Sequence, residues 1–208
     1  MVDVVRSQRI YLLRHGAVQG VDRKTYIGQL DVPLSPKGID QAKAWHRFFQ
    51  NNLPDKIFCS DLKRCVLTAK IIAEPFLERI CVKKVFREIS LGQWEGVLME
   101  DIRKKYPRQW ELRGKNLKGF RPPGGESFSD LAKRVVPAFY QICENNPSDM
   151  IIVAHAGVNR VILAELLDID LNNIFQIPQN YSTGDVIEVT RTKRKILNVK
   201  TGSHIFNE

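Results

Sequence analysis

The chain begins its hydrophobic pattern with an unbroken apolar run, Ile10-Tyr11-Leu12-Leu13, that stops at Arg14-His15-Gly16. A run of this length and composition predicts a buried strand, and the glycine permits a sharp turn where it ends. Ala17 to Ser35 loses periodicity and holds Gly20, Gly28, Asp31 and Pro33, which reads as a loop. Ser35-Pro36 then predicts a helix start, with serine as cap and proline at the first position. Ile39, Ala42, Trp45, Phe48 and Phe49 continue it at helical spacing. Lys56 to Cys59 predicts a second strand. Ser60-Asp61 predicts the cap of a helix whose apolar face includes Leu62, Val66, Leu67, Ala69, Ile72 and Ala73, ending near Pro75. Val82 to Phe86 predicts a third, short strand.

From Trp94 to Pro123 the pattern loosens into short helices joined by turns. Its aromatics, Trp94, Tyr106, Trp110 and Phe120, need a place to pack, so the segment is an excursion from the core rather than a linker. Glu126 to about Asn145 predicts a long helix with Phe128, Leu131, Val135, Val136, Phe139 and Ile142 on its apolar face, interrupted at Pro137. Met150 to Ala154 predicts another buried strand, running into His155-Ala156-Gly157 and a helix from Val158 to Leu167. Asp185–Val189 and Ile196–Thr201 predict a hairpin about Thr192-Lys193-Arg194, whose basic Arg191 to Lys195 run reads as a solvated turn. Strand and helix in alternation predict an α/β fold: a three-layer αβα sandwich, its central sheet mostly parallel and covered by helices on both faces. The expected organisation is one domain over residues 1–208, with 97–123 as a small helical cap insertion.

Composition narrows the classes. With 43% hydrophobic and 26% charged residues the chain reads as soluble and globular, and no apolar window approaches a membrane span. Met-Val-Asp-Val-Val-Arg lacks the charged, apolar and cleavage regions of a signal peptide, so none is expected. Cys59, Cys65, Cys81 and Cys143 are scattered without metal spacing, as small core residues of a reducing compartment, and a cytoplasmic location is expected. The net charge of +9 suits an anionic partner without naming it.

Right-handed crossovers place the strand C-terminal ends along one rim, and that rim collects the chemistry. Arg14 and His15 follow the first strand, Ser60, Asp61 and Arg64 the second, Glu88 the third, and His155 the fourth. Arginine forks match phosphate oxygens, and the helix starts after Ser60 and Gly157 offer amides to an anion. A neutral imidazole can attack phosphorus while a carboxyl group protonates the leaving oxygen. No metal-ligand spacing accompanies them, so arginines rather than a metal ion would handle the charge.

Leu13-Arg14-His15-Gly16 resembles the signature of the histidine phosphatase superfamily, the phosphoglycerate mutase-like enzymes. Further segments extend the likeness over roughly residues 9 to 170: Gly28 to Ser35 with Gly38, Gln41 and Ala42; Cys59 to Arg64 with Thr68-Ala69; Arg87 to Gly96; Pro123 to Ser127; and Val153 to Val158. The resemblance implies that His15 becomes phosphohistidine and that Arg14, Arg64 and His155 surround the transferring phosphoryl group. Glu88 would be general acid and then general base. Gln19, Gly28, Gln29, Ser60, Ala156 and Gly157 would be substrate-binding positions, with no metal and no cofactor. Ala17, Val18 and Val21 stand where many relatives carry Glu, Thr or Ser, and Asn, which leaves Gln19 as the candidate replacement. Ser60 has an equally good reading as a helix cap.

The compact insertion, Pro123-Gly124-Gly125-Glu126-Ser127, and Ala156-Gly157-Val158 after His155 look more like the phosphatase branch, including α-ribazole phosphatases, than the mutases. The expected function is hydrolysis of a small phosphorylated metabolite, with α-ribazole phosphate or a sugar or glycerate phosphate as examples. A cofactor-dependent phosphoglycerate mutase is the alternative, and a non-catalytic phospho-ligand module the remote one. No nucleic-acid or membrane partner is expected, and the protein would be a monomer or homodimer. The cap cations Arg103, Lys104, Lys105, Arg108, Arg113 and Lys115 would meet a second anion on the substrate or simply be solvated.

Overall fold

The computed structural model describes residues 7–20, 24–181, 183–190 and 196–200. The turn expected at Arg191 to Lys195 lies outside the described residues. Strands β1 (Ser7–Arg14), β2 (Lys56–Cys59), β3 (Ile80–Val82), β4 (Met150–Ala154), β5 (Gly184–Thr190) and β6 (Ile196–Lys200) form one sheet in the order β3-β2-β4-β1-β5-β6. β3, β2, β4 and β1 run parallel, while β5 pairs antiparallel with β1 and carries β6 as the predicted hairpin partner. The α-helices are α1 (Pro36–Phe49), α2 (Lys63–Ala73), α3 (Met99–Lys105), α4 (Pro107–Lys115), α5 (Phe128–Asn145) and α6 (Ala156–Leu166).

Strand side chains alternate between two faces, and this chain uses both. Ile10, Leu12, Ile152 and Ala154 join α5 and α6 in one core; Tyr11, Leu13, Ile151 and Val153 join α1 and α2 in the other. That is why β1 and β4 read as continuous apolar runs. A separate small cluster of Tyr26, Trp94 and Ile102, edged by Met99, Tyr106, Trp110 and Phe120, holds α3 and α4 together. Among the described residues no helix is long and apolar enough to cross a membrane.

Several local expectations are revised. The third strand ends at Val82; Lys84–Phe86 is a 3₁₀ turn that drives Phe86 to 0% exposure while edge-strand Val82 stays 50% exposed. The switch follows the ladder, because Lys83 N donates to Cys59 O at 2.8 Å and pairing with β2 stops there. Helix α2 begins at Lys63 with Leu62 as its uncapped N-cap, since Asp61 is held by Arg87 through two 2.8 Å hydrogen bonds. Helix α5 starts two residues later than expected, at a Ser127/Asp130 capping box. It also runs unbroken through Pro137. That residue faces solvent, and burial of Leu131, Val135 and Phe139, worth about 1.5–3 kcal/mol each, outweighs one missing hydrogen bond. Helix α6 begins at Ala156, directly after His155.

Candidate active site

The parallel strand ends converge as the crossover rule requires. His15 N donates to Ala154 O at 3.0 Å and Ser60 N to Val153 O at 3.2 Å, which stitches three strand exits into one floor. The turn after His15 is tight: a Cβ on Gly16 would strike the Gly38 carbonyl at the start of α1, so only glycine lets that helix approach.

His15 is 5% exposed, and its Nδ1 lies 2.7 Å from Gly16 O. A carbonyl accepts only, so Nδ1 carries the proton and Nε2 keeps its lone pair. That lone pair receives Arg64 Nε–H at 3.2 Å, which is shared with His155 Nδ1 at 3.3 Å. Burial first, then the Arg64 and Arg14 charges, hold the His15 imidazole well below the usual histidine value. His155 is pushed down likewise by burial and by neighbouring His15 and Arg64. Both rings are therefore neutral at pH 7, the state a nitrogen nucleophile requires.

Arg64 is fixed by the main chain. Its Nη1 donates to Leu30 O at 2.6 Å and its Nη2 to Gly28 O at 2.8 Å, so the 28–31 loop exists partly to hold a buried cation. Thr68 Oγ1 accepts Gly16 N and donates to Arg64 O, tying α2 to the His15 turn. Glu88 leaves the 3₁₀ turn after β3 with Oε1 accepting Ile89 N at 2.8 Å and Oε2 accepting Gly157 N at 3.1 Å. A Cβ on Gly157 would collide with the carboxylate, so this glycine serves Glu88. Arg134 pins the same turn, donating to Val85 O at 2.6 Å and Glu88 O at 2.9 Å while forking onto Glu126.

These groups open onto a cavity of about 400 Å³ lined by Arg14, His15, Arg64 and Glu88 on its floor. Ile27, Leu91, Phe120 and Phe128 form apolar walls, and Lys24, Arg113 and Arg160 bring further positive charge. Arg113 lies 5.6 Å from the centroids of both Tyr26 and Phe175, and Arg160 lies 5.2 Å from Phe175.

Of the expected residues, Arg14, His15, Arg64, Glu88, Gly28, Ala156 and Gly157 line this cavity. His155 does not; it is fully buried behind Arg64, with Cys65 Sγ 3.4 Å from its Nε2. Gln29 stands outside and donates to Glu88 O at 3.0 Å. Ser60, also fully buried, accepts Leu62 N at 3.3 Å just before α2, but the N-cap is Leu62 and has no side-chain cap bond, so Ser60 neither lines the cavity nor caps the helix. Gln19 is exposed and away from the cavity. The two helix starts also differ from expectation: Lys63 N is taken by Asp31 and Gly157 N by Glu88, so carboxylates already occupy those amides. Among the described residues no group of three or more His, Cys, Asp or Glu is placed to hold a metal ion. Sequence reading passed over Arg134, Arg160 and Tyr181. Arg160 lay within reach, one turn beyond Gly157 on the same helix; Tyr181 sits in an aperiodic loop that offers no pattern.

The description of the histidine phosphatase superfamily (branch 1) matches residues 10–201. The chain belongs to this superfamily. It is 33% identical over 166 residues, 79% of its length, to the human 6-phosphofructo-2-kinase/fructose-2,6-bisphosphatase 4, and it spans about a third (34%) of that relative. A mycobacterial glucosyl-3-phosphoglycerate phosphatase structure is 28% identical, with a TM-score of 0.78 over 88% of this chain and 91% of that one. The α-ribazole phosphatase of Shigella flexneri, 23% identical, shares the fold at a TM-score of 0.82 over 91% of this chain and 93% of its own. The three-layer α/β architecture is thus that of superfamily phosphatases.

Proposed function

We propose that the protein hydrolyses phosphomonoesters through a phosphohistidine on His15, without a metal ion, and that its substrate is a small metabolite bearing a second anionic group. The observation that carries the hydrolytic reading is the His15 ring. Its Nδ1 proton is committed to Gly16 O, and its Nε2 lone pair stands among Arg14, Arg64 and Glu88 in one cavity.

In the first half-reaction the Nε2 lone pair bonds to phosphorus as the ester P–O bond breaks, and protonated Glu88 gives its proton to the leaving alkoxide. In the second, Glu88 takes a proton from water, the water oxygen bonds to phosphorus and the P–N bond breaks. Phosphate leaves, His15 recovers its lone pair and Glu88 is again protonated. Arg14 and Arg64 stabilise the charge on the phosphoryl oxygens throughout.

The second anion is supported by Arg113 and Arg160 beside Phe175 on the cap side of the cavity, with Lys24 near. The names of the human and mycobacterial relatives point the same way, since fructose 2,6-bisphosphate and glucosyl-3-phosphoglycerate each carry two acidic groups. The test is phosphate release in EDTA from p-nitrophenyl phosphate, α-ribazole phosphate, 3-phosphoglycerate and fructose 2,6-bisphosphate, with His15→Ala as blank. His15-dependent release that favours the doubly anionic esters is expected. Interconversion of 3- and 2-phosphoglycerate after priming with 2,3-bisphosphoglycerate, without net release, would replace hydrolase by mutase. Preference for α-ribazole phosphate would remove the second-anion reading.

A further inference from the structure

Arg14 is gripped by a loop that reaches the site from the far end of the chain. Its Nη1 donates to Gln179 O at 2.6 Å, and its guanidinium carbon lies 3.7 Å from the centroid of the Tyr181 ring. That ring also stands 5.8 Å from the His15 imidazole and lines the cavity. The loop is itself anchored: Gln179 Oε1 accepts Asn159 Nδ2 at 2.9 Å, and Gln179 Nε2 donates to Asp185 Oδ2 at 2.8 Å. Gln179, Asn159 and Asp185 are 8%, 0% and 2% exposed, so the anchor is buried. With Nη1 committed and one face stacked, the guanidinium cannot turn about its long axis without losing both contacts. Its Nε–H is buried and finds no partner among the described residues.

We propose that Tyr181 is a positioning residue for phosphoryl transfer: its ring fixes the plane of the Arg14 guanidinium, which lines the cavity beside His15, so that its cavity-facing donors meet the phosphoryl group on His15. This rests on the phosphohistidine reading. A bidentate fork tolerates little rotation, and a desolvated cation over an aromatic face is a strong enough contact to prevent it. The phenol hydroxyl has no part in the proposal; the π face does.

The experiment is a double-mutant comparison with p-nitrophenyl phosphate. Tyr181→Ala and Tyr181→Leu are expected to lower kcat about 10- to 30-fold, the leucine keeping the volume but not the π face, while Tyr181→Phe stays within about threefold of wild type. In an Arg14→Ala background, Tyr181→Ala is expected to cost less than about twofold, because the group it positions is gone. Tyr181→Phe as slow as Tyr181→Ala would overturn the proposal in favour of the hydroxyl. An undiminished loss without Arg14 would overturn it in favour of direct contact with His15 or substrate, and full activity in Tyr181→Leu would exclude stacking. Orthovanadate affinity, read by calorimetry, keeps the test independent of turnover: about tenfold weakening is expected in Tyr181→Ala and Tyr181→Leu but not in Tyr181→Phe. If wild-type protein showed no His15-dependent hydrolysis, the proposed function would fall, while the vanadate series would still judge the Arg14 clamp.

Discussion

The floor of the cavity and its outer wall both present arginines, and Arg64 on the one and Arg113 on the other are held by different means. Arg64, 1% exposed, directs Nη1 and Nη2 to the carbonyls of Leu30 and Gly28 and Nε to both histidine rings. Those acceptors belong to strand exits and a loop locked onto the sheet. Arg113, on α4, instead lies over the rings of Tyr26 and Phe175 at 5.6 Å, and Phe175 is itself 48% exposed. Hydrogen bonds to fixed carbonyls set direction to within a few tenths of an ångström, whereas stacking at that distance permits sliding. On the proposed function, the two regions divide the work. A rigid floor suits chemistry, which needs near-attack geometry; an adaptable wall suits recognition, which varies among relatives with different substrates.

That division can be broken most severely at the floor. His15→Ala is expected to lower phosphate release on the order of 10⁴-fold or more for every ester in the panel, because the covalent route disappears. Acid quench of wild type during turnover should trap acid-labile phosphate on the protein, and the variant should trap none. Glu88→Gln is expected to slow alkyl phosphates by about 10²–10⁴-fold, since the leaving alkoxide loses its proton donor. With p-nitrophenyl phosphate, whose leaving group needs no proton, formation of phosphohistidine should be nearly spared. A quench-flow burst followed by slow hydrolysis is the signature, and equal loss in both phases would argue against the acid assignment.

The wall should respond through binding. Arg113→Gln or Arg160→Gln is expected to raise KM about tenfold for a doubly anionic substrate while leaving kcat and the constants for p-nitrophenyl phosphate nearly unchanged. A uniform rise over all substrates would mean that these arginines serve the floor. The smallest effect is on stability. The buried His15 and His155 rings have depressed proton affinity, whereas the unfolded chain takes up protons at about pH 6.5. Stability is therefore full above that pH and is lost as pH falls below it, by about 1.4 kcal/mol per pH unit for each ring. Urea melts between pH 7 and pH 5 should show it, and His155→Asn should flatten the slope by about half.

Much of the frame was legible in residue order. Ile10–Leu13 and Met150–Ala154 are apolar at every position because both faces of the sheet are covered, a pattern visible without coordinates. Arg14-His15, Arg64, Glu88 and His155 followed from strand exits and from recognisable segments. The misses share a cause. Val82–Phe86 is a short segment with the β-branched and aromatic residues of a strand, but the β2 ladder ended at Lys83, and pairing is not written in the strand that loses its partner. Pro137 reads as a break, yet it faces water on a helix held by its opposite side. Gln19 seemed able to replace a missing contact, but the chain turns it to solvent.

Local sequence determined which segments are strands and helices and which of them end in catalytic residue types, because period, caps and breakers act over a few residues. Only the tertiary structure decided the rest. It assigned the Gly157 amide to Glu88 rather than to substrate, gave Arg64 two carbonyls from a loop more than thirty residues away, and brought Tyr181 onto Arg14 across 165 or more positions of chain. Such contacts depend on where separate elements come to rest, and a linear pattern holds no distance between them.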